Sequence, residues 1–217
     1  MLLTVWAMLK SIAVQAQVPP MKELGRFCDS LVNQGIQEKS VPGLTLVLMN
    51  PDTALIRAYG LANVEKGLPV DSTTLFQLGS VGKLFTVIAV LQQVESGKLS
   101  LSADVNSYLQ EFTVSSKGRP ITLFDLLTHT AGFNDRNIGY VARSQRDIKS
   151  LGEHLREYMP TTFQPPGKEI NYSNYSYALA GHLVERVTGS NFTDYVREKI
   201  LVPLGMNHTT YDLPDNY

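Results

Sequence analysis

The sequence has few of the residues that form disulfides or bind metal ions. Among 217 residues it contains a single cysteine, Cys28, so an intrachain disulfide is excluded. The four histidines are scattered and show neither HExxH nor Cys/His ligand spacing: His129, His154, His182 and His208. We therefore predict no metal site and no cofactor, and a fold stabilised by an apolar core, for which this length suffices.

An excess of charge of either sign is also missing. The 19 basic and 20 acidic side chains give a net charge of -1 and are mixed along the chain. Nucleic-acid binding would need a basic patch or stripe, and binding to a membrane surface would need a polybasic cluster. We predict neither kind of partner, and the composition leaves the oligomeric state open.

Residues 1–20 are interpreted as a leader or a secretory signal segment. The stretch from Leu2 to Leu9 is mostly apolar, and residues 14–16 resemble a signal cleavage site, but a basic n-region is missing and Lys10 interrupts the run. A run this short cannot span a bilayer as a helix, so we predict no stable membrane span. A secretory signal would place the protein outside the cytoplasm, in the periplasm or secreted, whereas a plain leader would leave it cytoplasmic.

The order of apolar patterns predicts an α+β fold, in which a hairpin of an antiparallel sheet accompanies a mostly helical part. We interpret residues 21–217 as the N-terminal part of one domain, with the hairpin over 43–60 and the helical region over 80–205. Two strands alone form a marginal sheet, and partners for them are not obvious downstream. We therefore expect the intact protein to continue beyond Tyr217.

Apolar stripes predict which face of the two longest helices is buried. The helix over 21–39 has its stripe at Leu24, Phe27, Cys28 and Leu31. The helix from Ser80 to about Ser96 has its stripe at Leu84, Val87, Ile88, Leu91 and Val94. Further helices are predicted after a capping box at Thr122 and Asp125, after Asp147, and over 174–187 and 192–200.

Ser80 and Lys83 are the first candidates for catalysis. An acyl-enzyme mechanism needs a nucleophilic hydroxyl, a base for its proton and donors for the developing oxyanion. Positions i and i+3 of a helix share a face, so the Lys83 ammonium can reach the Ser80 hydroxyl, and a helix N-terminus favours an anion there. The spacing alone is a weak signal, because Ser80 can equally be an N-cap and Lys83 a solvated helix residue.

Tyr172, Ser173 and Asn174 form the second candidate group, at the start of another predicted helix. A nearby cation lowers the pKa of a phenol, and Lys83 would be that cation if the two helices meet. The Asn174 side chain both donates and accepts, which suits a substrate amide. The alternative is structural, with Ser173 or Asn174 capping the helix and Tyr172 packed in the core.

Several stretches occur in a fixed order between Leu24 and Tyr211. They are VPGLTLVL, GLANVEKGLPVDSTTLFQLGSVGKLFT, ESGKLSLSADVNSYL, ITLFDLLTHTAGF, FQPPGKEINYSNYSYALAGHLVERVTG and LVPLGMNHTTY. Each is weak by itself, but the ordered set resembles the penicillin-recognising serine hydrolases. Within that superfamily the chain is most similar to the branch of class C β-lactamases and the esterases and D-peptidases like them.

The resemblance implies a serine hydrolase that cleaves an ester, amide or β-lactam in a small-molecule or peptide-like substrate. Ser80 would be the acylated nucleophile, and its backbone N–H would supply half of the oxyanion hole. Lys83 and Tyr172 would form the base system, and which of them is the base stays open. Asn174 would contact the substrate, and His129 is interpreted as structural.

One motif of the resembling family has no counterpart here. The family carries Lys-Thr-Gly or His-x-Gly on a strand that lines the site and gives the second oxyanion N–H, whereas His208 is followed by Thr209 and Thr210. We therefore expect a C-terminally truncated and poorly active chain, since losing one oxyanion donor raises the barrier by about 3 kcal/mol. The alternatives are a non-catalytic or slowly acylated penicillin-binding or peptidoglycan-sensing module, and a structural or interaction domain whose motifs are helix caps.

Overall fold

The computed structural model describes residues 19–38, 40–135 and 147–212. The chain divides into two compact units, residues 1–74 and 75–217. The first contains helix α1 and strands β1 to β3, namely Met21–Gln37, Gly43–Met49, Ala54–Asn63 and Leu68–Pro69. The second contains helices α2 to α6, namely Lys83–Glu95, Leu123–Leu127, Leu151–Glu157, Asn174–Thr188 and Phe192–Val196. The predicted α+β class is confirmed, while the single domain over 21–217 stays a prediction.

The predicted leader falls almost entirely on residues 1–18, which lie outside the described residues. The extracytoplasmic location that depends on it therefore stays a prediction. In the part of the chain that the structure describes, no helix is long and apolar enough to cross a bilayer.

The first unit is built on the hairpin of β1 and β2. The strands pair antiparallel from Gly43 opposite Gly60 to Met49 opposite Ala54, which is the predicted span. The Asn50 side chain closes the turn by accepting backbone N–H groups two and three residues later. The short strand β3 then pairs antiparallel with β2, so the sheet has three strands in the order β1-β2-β3. The sequence patterns predicted the two strands of the hairpin and not this third strand.

Helix α1 forms where it was predicted, but only half of the predicted stripe lies on its less exposed face, where Leu24 and Cys28 are partly buried. Phe27 is 61% exposed and Leu31 is 53% exposed. The contact between α1 and the hairpin is partly polar, because the Tyr59 hydroxyl of β2 donates to the Asp29 carboxylate of α1 at 2.5 Å. Periodicity therefore located this helix correctly and identified its buried face only in part.

The second unit packs its helices around α5. This helix buries residues on several sides, as a central helix does, namely Tyr175, Ser176, Leu179, Ala180, Gly181, His182, Leu183 and Val184. It begins after the N-cap Ser173 and ends at Gly189, which has the left-handed conformation typical of a helix C-terminus. Helix α6 continues into a π-helical turn over Arg197–Leu201. The predicted helices over 174–187 and 192–200 are therefore confirmed within a few residues.

Helix α2 is preceded by a 3-10 turn, Gly79–Gly82, so Ser80 lies in that turn and the α-helix proper starts at Lys83. The helix buries Phe85, Thr86, Ala89, Val90 and Gln93. Of the predicted stripe, Ile88 and Val94 pack against the core, whereas Leu84 is 58% exposed and Leu91 is 45% exposed. The helix was correctly predicted, and its buried face only in part.

Two capping boxes set the starts of the short helices. The predicted box at Thr122 and Asp125 is present at the start of α3. Helix α4 was predicted to start after Asp147, and this is wrong, because Ser150 and Glu153 form the capping box and the helix starts at Leu151. Ser150 offers the better start, since its hydroxyl and the Glu153 carboxylate satisfy N–H groups reciprocally.

Asp125 also ties α3 to the loops around it. The carboxyl group is 1% exposed and accepts two N–H bonds from Arg119, each 2.7 Å long. It further accepts from the backbone and hydroxyl of Thr122 and from the hydroxyl of Thr130. Burial alone would raise the pKa of Asp125, but these bonds and the Arg119 charge outweigh it and hold that pKa below its usual value.

We expect Asp125→Asn to lower the free energy of unfolding by about 2–4 kcal/mol at neutral pH, because Arg119 loses its charged partner and the new amide NH₂ stands among groups that are themselves donors. A group with a depressed pKa in the folded state stabilises the protein above its unfolded pKa, about 3.9 for aspartate. That contribution is lost as the pH falls through the folded value. Urea unfolding at a series of pH values should therefore show the difference between wild type and variant shrinking below about pH 4.

Glu95→Gln is the matched control, because it neutralises an exposed carboxylate in the same unit. Its effect should stay within about 0.5 kcal/mol. A difference between Asp125→Asn and wild type that does not change with pH would contradict the ionised state of Asp125.

Candidate active site

Two helix starts meet in the second unit and bring the predicted site residues together. Ser80 lies in the turn that leads into α2, and Lys83 is the first residue of that helix. Tyr172 precedes the N-cap of α5, and Asn174 is the first residue of α5. Because α2 packs against α5, the Lys83 ammonium reaches the Asn174 side chain and donates to its Oδ1 at 2.6 Å.

The Ser80 hydroxyl lies between a phenol and an amine. Its Oγ is 2.6 Å from the Tyr172 hydroxyl oxygen, a hydrogen bond in which either oxygen can be the donor. The Lys83 Nζ donates to the same Oγ at 3.3 Å and lies 4.9 Å from the centre of the Tyr172 ring. The hydroxyl, phenol and ammonium therefore form a compact triangle, although Ser80 and Tyr172 are 92 residues apart in sequence.

Electrostatics in this triangle act mainly on the phenol. Lys83, and after it the hydrogen bond with Ser80, lower the pKa of Tyr172, while burial and Asp135 act in the opposite direction. The Tyr172 side chain is still 50% exposed, so a reacting group can approach it from solvent. A lowered pKa makes the phenolate form of Tyr172 more accessible, and a phenolate beside a hydroxyl is suited to accept that hydroxyl's proton.

Further residues hold the two helix starts, and the sequence analysis assigned none of them a role. The Tyr211 hydroxyl donates to the Gly82 carbonyl at 2.8 Å and so braces the turn that carries Ser80. The Asp135 carboxylate accepts the Asn174 backbone N–H at 2.5 Å, a favourable place for a negative charge. Tyr211 ends the last of the resembling stretches, which was the only sequence signal available for it.

His129 contacts the site through the ring of Tyr172. Its ring centre lies 4.3 Å from that of Tyr172 and 4.9 Å from that of Tyr177. Burial, and then the charge of Lys83, lower the pKa of His129. Within the described ranges, no group of three or more His, Cys, Asp or Glu side chains gathers where it could hold a metal ion.

The sequence matches the Beta-lactamase family over residues 28–216. Protein flp of Staphylococcus aureus strain N315 is 29% identical over 192 residues, which are 87% of this chain and 38% of flp. A β-lactamase of Yersinia enterocolitica is 30% identical over 181 residues, which are 83% of this chain and 45% of that protein. The chain thus spans less than half the length of these curated relatives.

Solved structures give the same likeness. A penicillin-binding protein homologue from Pyrococcus abyssi, described as octameric, has a TM-score of 0.73 and 28% identity over 85% of this chain and 44% of its own. The penicillin-binding protein of Bacillus halodurans has a TM-score of 0.70 and 29% identity, and the match covers 85% of this chain and 58% of that protein's chain. A class C β-lactamase in complex with cefoxitin has a TM-score of 0.73 and 25% identity, and the match covers 90% of this chain and 53% of that protein's chain. The resemblance stated from the sequence motifs is therefore confirmed.

Proposed function

Because the chain belongs to the β-lactamase family, we propose that it is a serine hydrolase in which Ser80 is acylated by an ester, amide or β-lactam. The observation that supports this most strongly is the 2.6 Å contact between the Ser80 and Tyr172 hydroxyls, with the Lys83 ammonium bonded to the same serine oxygen. Chance helix caps would give no reason for these three groups to converge from two distant parts of the sequence.

In the acylation step, the Ser80 Oγ attacks the substrate carbonyl carbon while its proton passes to the Tyr172 phenolate. The tetrahedral intermediate then expels the alcohol, amine or lactam nitrogen, which takes the proton from Tyr172, and an ester to Ser80 remains. Tyr172 is the better candidate for the base, since its oxygen is nearer to the Ser80 Oγ than the Lys83 nitrogen is. Lys83 stays an ammonium and keeps the pKa of Tyr172 low.

The developing oxyanion would form beside the helix starts. Backbone N–H groups in the first turn of a helix have no intrahelical acceptor and point towards an approaching anion. The Ser80 N–H is placed at such a start and would donate to the oxyanion. Asn174 already accepts from Lys83 through its Oδ1, so its amide nitrogen is the group that would donate to a substrate carbonyl.

Hydrolysis completes the cycle. A water molecule gives its proton to Tyr172 and attacks the acyl carbon, and Ser80 recovers the proton as the acid leaves. The substrate classes consistent with this chemistry are β-lactams, D-amino-acid peptides and short esters, because each presents a carbonyl with a leaving group. An acyl-enzyme that forms but does not turn over would indicate the slowly acylated binding module instead.

A fluorophosphonate probe tests the proposal directly, because it forms one covalent bond to an activated serine, with loss of fluoride, and needs no turnover. We expect the 217-residue chain to gain one probe mass and the modified peptide to contain Ser80. Chain unfolded in urea before probe addition is the control and should stay unlabelled. Labelling of another residue, or equal labelling of folded and unfolded chain, would refute Ser80 as the nucleophile.

A further inference from the structure

His129 holds an unusual backbone conformation beside the site. It lies just after Thr128, the C-cap of α3, and has a φ of 59°. It is the one non-glycine residue with a positive φ among those described. Such a conformation is unfavourable for a residue with a side chain and persists where the surroundings demand it. Here the demand comes from the contacts that His129 makes with the segment before α5.

Three contacts from His129 surround Tyr172. The backbone carbonyl of His129 accepts the N–H of Asn171 at 2.8 Å. Its Nδ1 accepts the N–H of Ser173 at 3.1 Å. Its ring packs against the Tyr172 ring, with the two planes inclined by 31°. The residues directly before and after Tyr172 are therefore fixed by one histidine, which also supports the phenol ring.

We propose that His129 is a positioning residue that orients Tyr172, so that the phenol oxygen meets the Ser80 hydroxyl. This inference rests on the proposed function, because it gives His129 a role through the proposed base. It replaces the interpretation of His129 as merely structural. His129 itself is given no proton-transfer role, since its Nδ1 accepts the Ser173 N–H and its ring packs on the Tyr172 ring.

The contact with Ser173 requires one form of the imidazole ring. A backbone N–H donates only to an unprotonated Nδ1, so the ring must be neutral with its proton on Nε2. Burial, and after it the Lys83 charge, favour that form by lowering the pKa of His129, whereas Asp135 acts the other way. The other titratable groups against the ring are the phenols of Tyr172 and Tyr177. Acidification through the His129 pKa would therefore turn Nδ1 into a donor and release Ser173.

Two substitutions distinguish the hydrogen-bonding role of the His129 side chain from its role as a filler of space. His129→Asn keeps an acceptor oxygen where Nδ1 stands and tolerates the left-handed backbone, but it has no ring and does not titrate. His129→Leu keeps similar bulk and has no acceptor. We expect the probe-labelling rate at pH 7 to fall by about tenfold or less in His129→Asn and by about 100-fold or more in His129→Leu, because small displacements of reacting groups have effects of this size.

The pH profile adds a readout that a purely structural role would not move. Wild-type labelling should fall at acid pH as His129 becomes protonated, and His129→Asn should lack that part of the fall. Circular dichroism gives the folded fraction of each variant, so that rates are compared per folded molecule. Equal rates per folded molecule for wild type and His129→Leu at every pH would overturn the inference.

Nuclear magnetic resonance tests the same inference without any acylation. Long-range proton–nitrogen correlations should show an unprotonated Nδ1 in His129. Labelled tyrosine, assigned with Tyr172→Phe, should show the Tyr172 titration moved to higher pH in His129→Leu, as the phenol leaves Lys83 and Ser80. A protonated Nδ1, or an unchanged Tyr172 titration, would contradict positioning. These results decide the role of His129 even if wild-type Ser80 takes no probe, an outcome that would refute the proposed function alone.

Discussion

Ser80→Ala should reduce covalent labelling of the folded chain by roughly 10,000-fold or more, to the rate of its other hydroxyls, because removing an activated nucleophile removes the whole covalent route. The folded structure should survive the change, since Ser80 lies on an exposed turn and alanine removes one oxygen. Intact-mass spectrometry over time gives the rate, and an unchanged unfolding midpoint shows that the loss is chemical. Hydrolysis of a chromogenic ester should fall by the same factor wherever wild-type turnover is measurable.

Ser102→Ala is the matched control, because it removes an exposed serine hydroxyl from the same unit. It should label at the wild-type rate. Labelling that persists in Ser80→Ala would refute Ser80 as the nucleophile. Loss of labelling in both Ser80→Ala and Ser102→Ala would indicate misfolding. A rapid burst in wild type that is not followed by turnover would favour the slowly acylated module over the hydrolase.

Lys83→Met should reduce the labelling rate about 1000-fold at pH 7, within the range of acid–base catalysis. Lys83 lowers the pKa of Tyr172, so removing the cation raises that pKa and leaves less phenolate at neutral pH. The rising limb of the rate against pH should therefore move to higher pH. The variant should recover part of its rate in alkaline buffer, because phenolate then forms without help from the amine.

Lys98→Met provides the comparison, because it removes an exposed ammonium just beyond the end of α2. It should leave both the rate and the pH profile unchanged. A Lys83→Met profile whose limb keeps its wild-type position would show that Lys83 does not tune Tyr172. A lost rate with no alkaline recovery would make Lys83 itself the base.

Sequence periodicity predicted where helices lie better than which side of them is buried. In α1 and α2 the predicted stripes leave Phe27 and Leu84 more than half exposed. Helix α2 has apolar residues on most of its faces, which gives no clear direction to its core, so long-range packing decides which side is buried. Signals of local geometry were more reliable: the hairpin over 43–60 and the capping box of Thr122 and Asp125 are both present as predicted.

The two parts of the candidate site, the Ser80–Lys83 pair and Tyr172, were predictable for different reasons. Ser80 and Lys83 are neighbours by helix geometry alone, three positions apart. Tyr172 joins them across 92 residues, and only the resemblance to a family predicted that meeting. Tyr211 and Asp135 lie in loop segments outside the helices, and their hydrogen bonds to Gly82 and to the Asn174 backbone follow from the tertiary fold rather than from a local pattern.

The proposed nucleophile depends on two separate helix starts, so labelling of Ser80 would report whether these parts of the second unit are folded. A molecule in which α5 has moved away from α2 keeps the Ser80 hydroxyl but loses its hydrogen bond with Tyr172. In a denaturant series, probe uptake should therefore decline together with the docking of these two helices, ahead of any complete loss of helical signal. Labelling of one serine, detected by intact-mass spectrometry, would therefore report whether α2 and α5 are docked.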